Sequence, residues 1–105
     1  MSATIERLHK LVGTPRDGAL LRLALAQALL DAGNATAAAQ SARDALGFDA
    51  DYSAAWKLLG KALTEAGDRD GAILAYRDGI VAAERRGDVQ AGKEMRVFLR
   101  RLEGP

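Results

Sequence analysis

Leucine, alanine and valine recur along the chain in steps of three and four, with arginine, aspartate and glutamine between them. That spacing gathers apolar side chains on one face of an α-helix. Nowhere do apolar and polar residues alternate for more than a few positions, so no strand is expected. Six helices are predicted, with breaks at glycine and aspartate. The first covers about 3–12, with Ile5, Leu8, Leu11 and Val12 on one side. Gly13 is placed to take the left-handed conformation that ends it. Thr14, Pro15 and Asp17 read as the start of the second helix: an N-cap threonine, proline at the first helical position and a carboxylate after it. This helix runs to about Ala32 and stops at Gly33. Asn34 caps a third that ends near Gly47. Asp49 or Asp51 caps a fourth that ends at Gly67. Asp68 or Asp70 caps a fifth closed by Gly87, and Asp88 a sixth running to about Glu103.

The helices repeat. Leu25, Ala28, Leu29, Ala32, Gly33, Ala38, Arg43 and Asp44 return 34 residues later as Leu59, Ala62, Leu63, Ala66, Gly67, Ala72, Arg77 and Asp78. A fixed period of this length marks stacked helical units. Shifted back by the same period, Ala39, Ala42, Ala45 and Leu46 fall on Ile5, Leu8, Leu11 and Val12, so the first helix reads as the second half of a repeat. At a shift of 36, Leu59 falls on Met95 and Leu63 on Leu99, so the last helix reads as a first half after an insertion near Glu84-Arg85-Arg86. The expected organisation is a single domain over 1–105: a half-repeat helix at 3–13, full repeats at 19–52 and 53–86, and a capping helix at 88–103.

The second full repeat carries the detail. Trp56, Leu59, Gly60 and Leu63 sit at the spacing W-x2-L-G-x2-(large apolar), and Ala72-x3-Tyr76 follows. The run resembles the tetratricopeptide repeat, whose period is also 34. Gly67 and Ile80 fit the same pattern. Gly79 stands where that family usually has alanine, and Glu84 where it has proline. The first full repeat matches less well: Arg22 replaces the tryptophan, Ala26 the glycine, Ala42 the aromatic residue and Ala50 the proline. The Leu25, Leu29, Gly33, Ala38 and Leu46 skeleton is kept. These positions govern packing, small residues letting helices approach and large ones filling the space beside them.

The resemblance implies an all-α, tetratricopeptide-like α-solenoid of six antiparallel helices that binds another protein and catalyses nothing. It also implies that the first helix of each repeat lines a concave groove. That places Leu23, Gln27 and Leu30 in the groove from one repeat, Lys57, Lys61 and Thr64 from the next, and Lys93, Val97 and Arg100 from the last helix. Lys57, Lys61 and Thr64 also lie at i, i+4 and i+7, one stripe opposite Leu59 and Leu63. Leu20, Leu23 and Leu30 would form an apolar half, and Lys57, Lys61, Lys93 and Arg100 a basic half. Such a groove suits an extended or helical peptide with an apolar anchor and an acidic or carboxylate end. The same lysine stripe also fits an ordinary solvated helix face. The carboxylate clamp of some family members is not expected, because Lys61 stands where it needs an asparagine, and Asn34, the chain's one asparagine, falls in a turn.

Composition narrows the function further. Fifteen basic and fourteen acidic residues leave a net charge of +1, without the basic excess of a nucleic-acid binder. The absence of cysteine excludes disulfides and thiol chemistry. No apolar run approaches the ~20 residues of a membrane span, and the start MSATIERLHKL lacks a signal peptide's apolar core, so a cytoplasmic location is expected. The alanine- and arginine-rich composition points to a bacterial source. His9 is the single histidine, on the short first helix. Asp68-Arg-Asp70-Gly71 opens like a calcium loop, but its glycine comes two positions early. Gly60-Lys61 lacks the earlier glycine of a phosphate-binding loop. No catalytic, cofactor-binding or metal-ligating residue is therefore predicted. Met95, Phe98, Leu99 and Leu102 form one further stripe, expected to pack back on the fifth helix. Left open instead, it would dock a partner or a second copy, giving a structural subunit or weak homodimer. A small chaperone for one partner is the remaining alternative.

Overall fold

The computed structural model describes residues 2–104, so the first and last residues of the expected domain lie outside it. Among the described residues there are six helices and no strand: α1 (Ala3–Leu11), α2 (Ala19–Asp31), α3 (Ala35–Phe48), α4 (Ser53–Glu65), α5 (Arg69–Arg86) and α6 (Val89–Glu103). None is long and apolar enough to cross a membrane.

Local chemistry explains most of the boundaries. Ser2 caps α1, Asp68 caps α5 and Asp88 caps α6, each side-chain oxygen accepting from a backbone N–H three residues on. Gly33, Gly67 and Gly87 all take positive φ just past a helix, where a Cβ would be strained. Two expected starts are corrected. The second helix begins at Ala19, not at Thr14, because Thr14 and Asp17 build a turn instead. The Thr14 hydroxyl donates to the Leu11 carbonyl, and the Asp17 carboxylate accepts from the N–H groups of Gly13 and Gly18. Neither Asp49 nor Asp51 caps the fourth helix, whose N-cap is Tyr52. Both aspartates are taken by arginines at the far end of α5: Arg86 to Asp49 at 2.7 Å and Arg85 to Asp51 at 3.0 Å.

Each helix packs against its sequence neighbour, and α4 also touches both α2 and α6. Helices α1, α3 and α5 make no such mutual contact. The result is a slab of 42 × 28 × 18 Å with α2, α4 and α6 in one row. Leu25, Leu29, Leu59 and Leu63 are core residues, as the period requires. The closest approach lies between α4 and α5. A Cβ on Gly60 would overlap the Tyr76 ring, with Cδ1 only 2.7 Å away. Gly79 is equally forced: a Cβ there would meet Met95 Sδ at 2.6 Å and Trp56 Cβ at 2.7 Å. Met95 from α6 thus occupies the space an alanine would need. The stripe of α6 packs back on α5, with Met95 fully buried and Phe98, Leu99 and Leu102 against the same cluster.

Candidate functional site

The row of α2, α4 and α6 carries all of the sequence-predicted groove residues, and the structure treats them differently. Leu23 and Leu30 are half-buried against the core, so they offer edges rather than open faces. Gln27 is exposed and donates to Asp31 at 2.8 Å. Leu20 is 74% exposed at the start of α2. Lys57 is not free: its Nζ lies 3.3 Å from Glu94 Oε1 on α6, an ion pair that ties the two helices together. Thr64 donates to the Gly60 carbonyl, a bond within its own helix. Lys93 and Arg100 are exposed, and Lys93 sits beside a separate hollow at the α5–α6 turn with Glu84 and Arg96.

Lys61 and Thr64 do come together, in a cleft of about 340 Å³ between α4 and α6. Tyr76 of α5 forms its floor with Phe98 and Leu102 of α6. The Tyr76 and Phe98 rings are tilted, with centroids 5.7 Å apart. Burial pushes the Tyr76 hydroxyl up to about 12, against a smaller opposing effect of the neighbouring Thr64 hydroxyl. It therefore stays neutral at any ordinary pH and works as a hydrogen-bonding apolar surface. Lys61 Nζ stands 5.3 Å from the Phe98 centroid, and the Arg101 guanidinium 5.8 Å from it. Glu65 supplies the one carboxylate of the rim. Arg69 donates to the Leu102 carbonyl close by.

Sequence reading missed Phe98, Arg101 and Leu102 here. The spacing gives Phe98 and Leu102 as part of a stripe that packs back on the fifth helix or docks a partner, and both are half-buried. Only the packing of α6 beside α4 turns their exposed edges into a cleft wall. Arg101 could have been found as the cation one turn beyond Phe98, at the spacing that lets it reach back over the ring.

A second hollow of about 710 Å³ opens on the opposite side, between α1 and α3 over α2. Leu25 and Leu29 floor it and His9 stands at its edge. Arg22 crosses one end, held by Asp17 at 2.9 Å and by Asp44 at 2.9 Å. That arginine's hydrogen bonds, with the N–H groups of Gly13 and Gly18, hold the Asp17 carboxyl far below the usual range. No group of metal-ligating side chains is assembled among the described residues.

No family model matches the chain. It is 48% identical over 99 residues to a protein of Pseudomonas aeruginosa named as TPR repeat-containing, covering 94% of each chain. A Bordetella parapertussis protein whose structure was solved in solution superposes with a TM-score of 0.83 at 46% identity, over 98% of this chain and 90% of that one.

Proposed function

Because the chain belongs to the tetratricopeptide-repeat family, we propose that it is a non-catalytic protein-binding module acting in the cytoplasm. Its full repeats are 19–52 and 53–86, flanked by a half-repeat helix and a closing helix. The observation that carries this role is the row of α2, α4 and α6, three helices in lateral contact that offer one continuous surface with a cleft in it. A partner segment lies along that row, with Leu20, Leu23 and Leu30 at one end and Lys61, Lys93 and Arg100 at the other. An apolar anchor followed by acidic residues complements both ends. So short a surface gives a transient complex unless several copies act together.

Photo-crosslinkers placed on both sides of the slab test this. Gln27 and Arg100 stand on the row, while the exposed Arg43 and Asp78 belong to α3 and α5. One protein captured from the native lysate at Gln27 and Arg100, and not at Arg43 and Asp78, is the expected result. Capture only at Arg43 and Asp78 would refute the assignment of the face.

A further inference from the structure

The cleft between α4 and α6 holds an apolar floor beside cations that lack counter-ions. Lys61 and Arg101 are held near the Phe98 ring, and neither has an ion-pair partner among the described residues. Lys57, one turn away, is already neutralised by Glu94. Glu65 is the single carboxylate on the rim, against Lys61 and Arg101. The surplus positive charge therefore sits directly against Tyr76, Phe98 and Leu102. Cation–π attraction restrains both long side chains before any ligand arrives, which lowers the entropy cost of using them.

We propose that this cleft binds an extended segment of a partner protein, one with a large apolar side chain and a carboxylate two residues away from it. The proposal rests on the protein-binding role of the α2–α4–α6 row and adds the ligand's pattern. A volume of about 340 Å³ is small for a ligand site and takes one large side chain with little besides. In an extended chain, adjacent side chains point to opposite faces, while every second one shares a face at a separation of about 6.6 Å. Cations 5.3 and 5.8 Å from the ring centroid are within reach of a carboxylate at that separation from an anchor seated on the ring. An acid directly next to the anchor would point away from both.

Amide chemical-shift titration of the whole protein reads this out, with the capped heptapeptide Ser-Glu-Ser-Leu-Ser-Glu-Ser as probe. Shifts are expected at Lys61, Phe98 and Arg101. Affinity should fall about five-fold or more when both glutamates become glutamine, the size expected for two exposed ion pairs. The same loss is expected when both glutamates are moved next to the leucine. A Lys61→Gln/Arg101→Gln variant, altered only at exposed positions, should keep the thermal melt and lose the preference for glutamate. Equal binding by the glutamine peptide, or shifts on α1 and α3 alone, would overturn the proposal. So would tighter binding of a glutamate-free peptide ending in a free leucine carboxylate, which would transfer recognition to chain ends. If the cross-linked partner maps to the row and the heptapeptide does not bind, only this proposal falls. If the heptapeptide binds the cleft and cross-links form only at Arg43 and Asp78, the wider role falls instead.

Discussion

The helix pairs α2–α3 and α4–α5 share one period and solve their packing in opposite ways. In α4–α5 a ring is pressed onto bare backbone: Tyr76 lies where a Cβ of Gly60 would be, and both residues are buried. In α2–α3 the corresponding positions are Ala26 and Ala42, both with no exposed surface. Two small side chains replace one large and one absent. The second difference is at Trp56 and Arg22. Trp56 packs against both core clusters and donates its indole N–H to the Ala50 carbonyl at 2.8 Å. Arg22 instead sends its guanidinium to Asp17 and Asp44, and the space between α1 and α3 stays open as the larger hollow. Backbone register is thus set by the sum of two facing volumes, while the filling of the flank depends on the residue at one position.

Removing the ring should break the comparison most visibly. Tyr76→Ala is expected to destabilise the fold by about 3–5 kcal/mol in urea unfolding, as large aromatic-to-alanine changes in cores do. Gly60→Ala should cost about 1–3 kcal/mol through overpacking, although alanine favours a helix over glycine. Combined, the two changes recreate the small–small pairing of α2–α3, so their costs should fall short of additive. Strict additivity would mean the ring and the glycine are not coupled, and the contrast between the pairs would collapse.

Arg22→Gln sharpens the second difference. It should lower the melting temperature by less than Tyr76→Ala, because it removes half-buried ion pairs at the edge of the hollow and leaves the packed core intact. The loss should shrink further in high salt, whereas the Tyr76→Ala loss should not.

The smallest expected effect is in acid. The Asp17 carboxyl is held far below its ordinary value of 3.8, chiefly by Arg22 and then by the Gly13 N–H. A depressed native pKa contributes stability above the unfolded value, and that contribution disappears as pH falls below about 3.8. Denaturant midpoints measured from pH 5 down to pH 2.5 should therefore fall, and fall less steeply in Asp17→Asn. Asp49, lowered by Arg86, and Asp88, lowered by the Ser53 hydroxyl, retain part of the slope in that variant.

Much of this molecule was legible along the chain, for physical reasons tied to particular residues. Helix type and number follow from the three-and-four spacing of leucines and alanines, which needs no tertiary information. The 34-residue echo from Leu25 to Asp78 shows the stacked repeats, and Gly33, Gly67 and Gly87 mark helix ends because each needs a positive φ. Asp68 and Asp88 act as caps because a carboxylate three residues before a free N–H is a local arrangement. Asp49, Asp51 and Thr14 have the same local chemistry and do other work. The two aspartates meet Arg86 and Arg85 from α5, and Thr14 folds back on Leu11, so a longer-range partner or a tighter turn outcompetes the cap.

The surface was read less completely than the core. Lys57, Lys61, Lys93 and Arg100 look alike as exposed cations, since sequence carries no signal of which one meets an acid across a helix interface. Packing decided that Lys57 faces Glu94 and that Lys61 hangs over Phe98. Burial is one-dimensional along a helix, because its period alone assigns an inner and an outer face, and that much the sequence determined by itself. A cleft, an ion pair between helices and a ring set on a glycine each depend on how two helices are offset and tilted. Those quantities come from the volumes of side chains far apart in the chain, and only the tertiary structure fixes them.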